Sequence, residues 1–466
     1  MITPLDIKSR KMILHNMLGS LSKKQWQLRV WLLVSIGLLH GIPATQASGV
    51  DLFSYQESDV SHIFGHSESS VTGVYQIQFN RQASSVEVGR VMNAALPDNN
   101  TIAITVAKKE HLDNGDVQIS GSYANDGWMI MTIGKDSAYA NFSNTEHSFS
   151  LNDDPRTTSF LIDNRTSNAY QVDLQDDFII PPHILKNGRS PNLLGDRVSQ
   201  ANTNRESCKN SFIGFMALYS PEFGNGFANP VTRINQMLGF TNAAYKRSGI
   251  KIELKLVHAR QVGFENKEST GNLLNLVTAG REVFSNVPSL RTTYGADLVA
   301  VLPFSSGGLV RGRGWINGDS RNYGYSVSQF AIWGSDSVFA HEIGHNMGSG
   351  HERISSNPSH NSPCNTSYTF TNYACGHGNA SHPDNWGTIM SYLNDGVIGY
   401  KFSNPNLNCL GAPCGIPAGQ ANAADNASAF NISREFVANF YKQGPQAPAC
   451  DAPTFMPPVV DLIISD

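Results

Sequence analysis

The sequence predicts a two-part fold, in which a β-rich segment precedes an α/β (α+β) domain with a mixed, mostly parallel sheet. Alternation of apolar and polar residues recurs within residues 48–205, and such alternation is typical of strands. From residue 206 onward, strand-like and helix-like patterns alternate, which indicates a sheet layered with helices. All six cysteines lie at position 208 or later, so the composition changes where the pattern changes.

The composition is that of a folded chain with more than one domain. The 466 residues exceed the usual length of one domain, and 40% of them are hydrophobic against 15% charged. The formal net charge is −4, and the sequence has no basic tract interleaved with aromatic residues. These features argue against intrinsic disorder and predict no nucleic-acid partner.

Residues 1–47 have the pattern of an export signal. A basic stretch precedes an apolar run at 30–39, and Thr45 and Ala47 provide small side chains at the −3 and −1 positions of a cleavage point. The apolar run is shorter than the roughly 20 residues that a spanning helix needs, so we favour cleavage over a membrane anchor. Met12 or Met17 is an alternative start. We therefore expect a secreted protein with no stable membrane association after signal cleavage.

The segment at 48–205 is predicted to form a meander of antiparallel strands. Ile102, Ile104 and Val106 alternate with small residues, and a turn signal follows at 113–116. No motif in this segment carries chemistry. From residue 182 to residue 207 the sequence is polar and rich in breakers, which indicates an exposed linker.

Residues 206–450 are predicted to form the α/β domain, and residues 451–466 a short tail. Strands are expected at 213–219, 250–257 and 296–302, and helices at 230–248, 272–284 and 423–441. The run at 296–302 is short and mostly apolar, as in a central strand that is buried on both faces.

Residues 341–351 read His-Glu-Ile-Gly-His-Asn-Met-Gly-Ser-Gly-His. Positions four apart share one face of a helix, so His341 and His345 can direct their imidazoles at one metal ion. Gly348 can leave the helix through a positive φ, which brings His351 round as a third nitrogen ligand. Three protein ligands leave one tetrahedral position for water, the arrangement of a catalytic zinc. Ordinary helix histidines are the alternative, but they do not require this spacing.

Glu342 adjoins the first of these histidines and can reach that water. It is predicted to act as general base and then to pass the proton to the leaving amine. Further along, residues 387–392 read Gly-Thr-Ile-Met-Ser-Tyr, the form of a Met-turn. Such a turn places Met390 as a soft apolar floor beneath the imidazoles.

These two motifs resemble those of the metzincin clan of zinc endopeptidases. Over residues 208–445, the order of segments is most similar to secreted bacterial reprolysin-like enzymes, including the peptidyl-Asp metallopeptidase family. The resemblance implies a metzincin-like catalytic domain with one catalytic Zn²⁺ and protein or peptide substrates. It also implies an antiparallel edge strand within 309–317 that can bind an extended peptide. The alternative for that edge is a charged strand that guards against aggregation.

Two positions near the motifs leave alternatives open. Glu352 follows the third histidine where reprolysins usually have aspartate. Tyr392 matches a tyrosine that astacins and serralysins use as a movable fifth zinc ligand, so the resemblance implies a donor to the oxyanion. A packed aromatic residue is the alternative. We expect His360, His377 and His382 to be loop histidines rather than ligands.

The cysteines predict disulfides in an exported chain. Local spacing favours Cys364–Cys375 and Cys409–Cys414 and leaves Cys208 to pair with Cys450, although six cysteines allow 15 pairings. Matrixins and many reprolysins block their zinc with a propeptide cysteine. Cys208 could do so here only if activation cleavage fell after it.

The function predicted from the sequence is that of a secreted zinc metalloendopeptidase made as a zymogen. Residues 48–205 would then be a propeptide that assists folding and blocks the cleft until cleavage in the linker; a permanent accessory domain is the alternative. A zinc-containing adhesin or binding module without catalysis is a second hypothesis, but it does not explain Glu342. Hydrolysis of a non-peptide amide is a third.

Overall fold

A computed structural model gives the architecture. It describes residues 49–56, 73–156, 158–166, 171–172, 178–188, 210–304, 309–310, 312–330, 336–353, 364–382, 386–392 and 400–441. The predicted export signal, Cys208, Cys450, His360 and the tail all lie outside these ranges. Within them, no helix combines the length and the apolar character needed to cross a membrane.

The first part of the chain forms a ten-stranded sheet in the order β1-β4-β5-β6-β7-β8-β9-β10-β3-β2. Its strands are β1 (Val50–Asp51), β2 (Phe53–Tyr55), β3 (Val74–Phe79), β4 (Val91–Ala95), β5 (Thr101–His111), β6 (Val117–Tyr123), β7 (Gly127–Ile133), β8 (Ala138–Ser143), β9 (Ser148–Asp153) and β10 (Phe160–Asp163). From β4 to β10, consecutive strands pair antiparallel. The predicted meander is therefore present.

One short segment joins the two ends of this sheet. Val50–Asp51 pairs with β4, and Phe53–Tyr55 pairs with β3 at the opposite end of the strand order. Leu52, which lies between them, is buried and bonds to both sides through its backbone. The sheet therefore closes on itself around an apolar core that includes the inward-facing Ile104 and Val106. We call this part the closed sheet.

The second part contains a six-stranded mixed sheet with helices against it. In chain order, its elements are β11 (Gln171–Val172), β12 (Phe178–Ile179), α1 (Pro182–Asn187), β13 (Ser211–Tyr219), α2 (Pro221–Gly226), α3 (Pro230–Arg247), β14 (Ile252–Gln261), α4 (Thr270–Ala279), α5 (Val287–Tyr294), β15 (Leu298–Leu302), β16 (Leu309–Val310), β17 (Gly312–Trp315), β18 (Tyr325–Ser328), α6 (Asp336–Asn346), β19 (Gly350–Glu352), β20 (Cys375–Gly376), β21 (Gly378–Asn379), β22 (Trp386–Gly387), β23 (Asn404–Cys409), β24 (Ala412–Cys414) and α7 (Asn426–Val437).

The mixed sheet has the order β12-β17-β18-β15-β13-β14. Its described pairings are parallel except for β17 with β18, which run antiparallel. The apolar run at β15 is central and fully buried, as its composition indicates. Both local disulfides predicted from spacing are formed, Cys364–Cys375 and Cys409–Cys414.

The predicted helix at 272–284 is wrong in its extent. The helix α4 ends at Ala279 because Gly280 takes a left-handed conformation (φ 58°) that stops the helix and caps its last turn. A short 3-10 turn at Glu282–Phe284 follows, and then a separate helix, α5. By contrast, α3 matches the prediction closely, because the Asn229 side chain caps its first turn.

The closed sheet packs on α3 through apolar side chains that join the core of the second part, and through polar side chains as well. Thr232 and Asn235 donate hydrogen bonds to the Asp116 carboxylate at 3.1 and 3.0 Å. Gln236 donates to Asn141 at 2.7 Å. All five residues are buried, so these bonds satisfy polar groups that would otherwise be costly to enclose.

A segment between the two parts lies along the mixed sheet. Gln171–Val172 pairs with β16, and Phe178–Ile179 pairs with β17, in both cases parallel. The helix α1 follows, and it occupies the start of the predicted exposed linker. We call residues 171–172 and 178–188 the covering segment. The edge of β17, expected to be free, is therefore paired with β12 in this chain.

Candidate metal centre

The helix α6 carries the first two histidines of the motif. Its first-turn residue Asp336 forms a buried ion pair with Arg233 of α3 at 2.7 Å. The Arg233 guanidinium also lies over the rings of Tyr139 and Phe330, at 5.4 and 5.1 Å. A charged pair enclosed in this way holds the start of α6 against α3.

The turn after α6 brings in the third histidine. Gly348 has a φ of +99°, a conformation that disfavours any residue with a Cβ. The chain then enters β19, which contains His351 and pairs with β20. The disulfide between Cys364 and Cys375 fastens the strand that β19 pairs with. The predicted exit from the helix at Gly348 is therefore what the structure has.

The three histidines converge on one point. The Nε2 atom of His351 lies 3.2 Å from the Nε2 atom of His341 and 3.2 Å from that of His345. A tetrahedral zinc ion with Zn–N bonds of about 2.0–2.1 Å places its nitrogens about 3.3–3.4 Å apart. The donor set is neutral, nitrogen-based and buried, so these three residues fit a zinc ion.

Backbone carbonyls fix the orientation of two of the rings. His341 Nδ1 lies 2.6 Å from the Ile389 carbonyl oxygen, and His345 Nδ1 lies 2.8 Å from that of Ser349. A carbonyl oxygen only accepts, so each Nδ1 must carry the proton. Each Nε2 is then left with its lone pair directed at the common point, which is the tautomer that a metal requires.

Met390 lies beneath the histidines, as the Met-turn predicts. Its side chain is fully buried, and a Cβ added to Gly344 of α6 would overlap its sulfur atom. Gly344 sits between the two helical histidines in the sequence. The sulfur therefore packs directly on the α6 backbone between them, a place that suits a polarizable thioether.

Tyr392 and Glu352 are joined across the site. The Tyr392 backbone N–H donates to the Glu352 carboxylate at 2.9 Å. The Tyr392 ring lies 4.1 Å from the His351 ring and stacks on His341 at 5.6 Å between centroids. Burial raises the pKa of the Glu352 carboxyl, and the hydrogen bond from Tyr392 opposes that rise. Glu352 thus ties the Met-turn to the strand that carries His351.

Glu342 is buried on the side of α6 that faces β17. Gly312 and Gly314 of β17 lie directly under its carboxylate and its backbone. The carboxylate is therefore held between β17 and the helix that carries the first two histidines.

The covering segment reaches the histidines. The Phe178 ring lies 5.4 Å from the His345 ring and 5.1 Å from the His351 ring. The next backbone contact is the hydrogen bond from Ile316 N to the Ile179 carbonyl, at 3.0 Å. Further on, Ile184 is buried and His183 packs against Tyr323. An aromatic side chain of the covering segment therefore lies over the metal site.

The structure brings together the predicted residues Glu342, His341, His345, His351, Met390 and Tyr392. Among the described residues, His377 and His382 do not join the cluster of possible ligands. Sequence reasoning missed Phe178, the Gly312–Gly314 pair and Asn346, whose side-chain amide bonds to both β17 and β18. The glycine pair left a signal, because two glycines at i and i+2 share one face of a strand.

Comparison with protein families places the match on the second part of the chain. Residues 208–422 match the model for metallo-peptidase family M12B, reprolysin-like. A peptidyl-Asp metalloendopeptidase of Pseudomonas aeruginosa is 28% identical over 255 residues, which is 49% of this chain and 40% of the relative. The chain thus spans less than half the length of that curated relative. Together these matches confirm the predicted resemblance to reprolysin-like metallopeptidases.

Two solved structures are similar at a lower level. One is described as a chaperone–substrate complex, at 19% identity and a TM-score of 0.38, covering 50% of this chain and 36% of that one. The other is metalloproteinase-II from Bacteroides fragilis, at 10% identity and a TM-score of 0.36, covering 66% of this chain and 90% of that one. Both scores lie below 0.5, so neither adds to the argument.

Proposed function

We propose that this chain is a secreted zinc metalloendopeptidase, made as a zymogen, that hydrolyses peptide bonds in protein or peptide substrates. The observation that carries the proposal is the convergence of three buried imidazole Nε2 atoms beside the Glu342 carboxylate. The match of residues 208–422 to reprolysin-like metallopeptidases supports it. Secretion rests on the export pattern of residues 1–47.

The residues have distinct roles in this proposal. His341, His345 and His351 hold Zn²⁺, which when bound lowers the pKa of water toward about 7 and polarises a carbonyl group. The Glu342 carboxylate accepts a proton from the attacking water and delivers it to the leaving amine nitrogen. The Tyr392 phenol donates a hydrogen bond to the developing oxyanion.

We assign latency to the covering segment. A substrate that binds as an added strand needs the free backbone groups of β17, and β12 takes them. Phe178 also occupies the space in front of His345 and His351. Substrate therefore cannot reach the metal until this segment leaves. Cleavage between residues 188 and 210, followed by release of the segment, would open the site.

The surface of α3 supports a propeptide rather than a permanent accessory domain. Thr232, Arg233, Asn235 and Gln236 point at the closed sheet and are buried there. These side chains can bond to water when they are uncovered, although loss of the sheet would also uncover apolar side chains that share its core. The polar share of this interface suits two parts that separate.

The test of the proposed function is peptide hydrolysis by the secreted chain after processing. We expect cleavage of casein and of a peptide library, its inhibition by phenanthroline, and its recovery when zinc is added back. Sequencing of the product ends would show whether aspartate is preferred. Processed protein that binds zinc but cleaves no peptide would contradict the endopeptidase and favour a binding module.

The latency assignment has its own test in the unprocessed chain. Replacement of Phe178 by Ala removes an aromatic contact worth about 0.5–1.5 kcal/mol, so residual hydrolysis should rise by up to about tenfold. Leu185 lies on α1 of the same segment with its side chain exposed, so Leu185→Ala is the matched control. An equal response of both variants would contradict the role given to Phe178.

A further inference from the structure

The strand that borders the cleft turns a bare face toward α6. The sequence of β17 is Gly-Arg-Gly-Trp, so Gly312 and Gly314 share one face and Arg313 and Trp315 share the other. The second face packs on α4, where the Trp315 indole donates to Thr278 at 2.9 Å. The glycine face therefore looks at the catalytic helix and carries no side chain.

Gly312 lies against the end of the Glu342 side chain. A Cβ built at position 312 would overlap Glu342 Oε1 and Cδ and would lie 2.7 Å from Cγ. The atoms in the way are the terminal atoms of one flexible side chain. A methyl group at 312 would therefore displace the carboxylate while leaving the helix backbone where it is.

Gly314 lies against the helix itself. A Cβ there would approach the Glu342 carbonyl oxygen at 2.9 Å and His345 Cβ at 3.1 Å. Backbone cannot rotate away as a side chain can. A methyl group at 314 would therefore push α6, and with it one of the histidines, away from the strand.

The strand and the helix are fixed at this distance by Asn346. Its side-chain amide donates to the Trp315 carbonyl at 3.1 Å and to the Tyr325 carbonyl at 2.8 Å, so it bonds to β17 and β18 at once. The Asn317 N–H also donates to the His345 carbonyl at 3.0 Å. With α6 attached at these points, the space above the glycines cannot widen without breaking hydrogen bonds.

The same bare face leaves room for a chain on the strand edge. Phe178 is the residue of the covering segment that pairs with Gly314, and its ring reaches the histidines from there. A side chain at 314 would compete with any residue bound at that position.

We propose that Gly312 is a positioning residue for the Glu342 carboxylate, and that Gly314 sets the distance between β17 and the zinc-binding helix. Because position 312 has no side chain, the Glu342 carboxylate can lie above the substrate-binding edge. The absence of one at 314 lets α6 present His345 to the metal. This inference rests on the proposed function, because it assigns Glu342 the part of general base.

The test compares three variants of the full chain, processed in parallel with the wild type. Gly312→Ala should lower kcat about 100-fold, with KM and zinc affinity within twofold, because a displaced base forfeits much of a 10²–10⁴-fold contribution. Gly314→Ala should lower the melting temperature and weaken zinc binding at least about tenfold. Gly263 has nothing within 4 Å of an added Cβ, so Gly263→Ala is the control. It should change neither kcat and KM nor the melting temperature and zinc affinity.

A double variant separates positioning from a general structural effect. Aspartate at 342 is one methylene shorter and leaves space for the methyl group at 312. The Gly312→Ala change should therefore cost less than about threefold in kcat when Glu342→Asp is already present. Full additivity of the two losses would overturn the role of Gly312.

The zinc measurements need no substrate, so they judge the packing even if the chain hydrolyses no peptide. Equal loss of zinc affinity in Gly312→Ala and Gly314→Ala would overturn the distinction between the two glycines. Unchanged kcat in an active Gly312→Ala protein would overturn the positioning role. A wild type that binds zinc without hydrolysis would contradict the endopeptidase alone.

Discussion

The interior of the closed sheet and the interior of the second part are built from different chemistry. The core of the closed sheet consists of apolar residues such as Ile104, Phe142 and Leu161. In the second part, ionisable groups such as His345 and Glu342 are buried beside the core. Burial of such groups destabilises a fold unless a partner or a metal offsets the loss of hydration. The apolar core of the closed sheet is what stability alone requires. The interior of the second part also retains ionisable groups at the candidate metal centre.

The buried carboxylates that the closed sheet does contain belong to its contact with the second part. Asp116 bonds to Thr232 and Asn235, and Asp154 accepts the Ala228 N–H at 2.8 Å. These carboxylates bind the closed sheet to the second part and are not part of its apolar core. Chemistry is concentrated in one part, and the other part is built to pack on it.

The largest expected effect comes from removal of a metal ligand. His345→Ala takes away one of three converging nitrogens, so zinc binding at the site and peptide hydrolysis should both be lost. Metal analysis of the purified protein and an assay with a cleavable peptide measure this. His382→Ala, in a loop outside the cluster, should keep both, and loss of zinc from that variant as well would contradict the assigned ligand set.

The next effect comes from removal of the proposed general base while the metal ligands stay intact. Glu342→Gln keeps the shape of the side chain but removes the proton acceptor. We expect kcat to fall by about 10²–10⁴-fold with one zinc still bound. Steady-state kinetics and metal content in the same sample check this. An active protein that kept its kcat would contradict the proton relay.

The third effect is on stability and tests the buried ion pair. Asp336→Ala leaves Arg233 enclosed without its carboxylate, which should lower the free energy of unfolding by about 3–5 kcal/mol. The pair of Lys267 and Glu265 is exposed, so Glu265→Ala should leave the free energy of unfolding nearly unchanged. Denaturant titration measures both. Similar losses of unfolding free energy in the two variants would contradict a stabilising role for the buried Arg233–Asp336 pair.

The fourth effect decides the part of Tyr392. Removal of one oxyanion donor typically lowers kcat by about 10²–10³-fold, so Tyr392→Phe should do the same while the stacked ring keeps its place. Stability should be unchanged. A normal kcat with intact folding would assign the residue to packing against His341 and His351 instead.

The smallest effect is a pH dependence in the second part. Burial raises the pKa of the Asp297 carboxyl from its ordinary 3.8 to about 7, against hydrogen bonds from Gly214 and Tyr441 that lower it. The native state then holds a proton that the unfolded chain has lost, so stability falls as pH rises from about 4 to about 7. Asp297→Asn should flatten this slope in unfolding curves at pH 5 and pH 8. An unchanged slope would contradict the assignment.

The metal site could be predicted from the sequence because its determinants are local. The spacing of His341, His345 and His351 is set by one helical turn and one glycine turn. The strands of the meander were equally accessible, since their alternation has a period of two. Both depend on residues within about ten positions of each other.

Contacts between distant residues could not be predicted in this way. Nothing in the apolar alternation says that Leu52 closes the sheet or that Phe178 reaches the histidines. The helix at 272–284 was overextended because apolar periodicity continued past Gly280, whose conformation ended it. The division of the chain at 205 and 206 stays a prediction, because the described residues from Val50 onward belong to one compact unit.

The central claim is that one zinc ion at the three histidines carries the hydrolysis. Its most direct test is a titration of zinc into the metal-free, processed protein, with the rate of peptide cleavage followed at each addition. We expect a rate that rises in proportion to zinc, saturates at one equivalent per chain, and stays at zero throughout in the His345→Ala variant. Cleavage by the metal-free protein, or recovery of activity in that variant, would contradict the account.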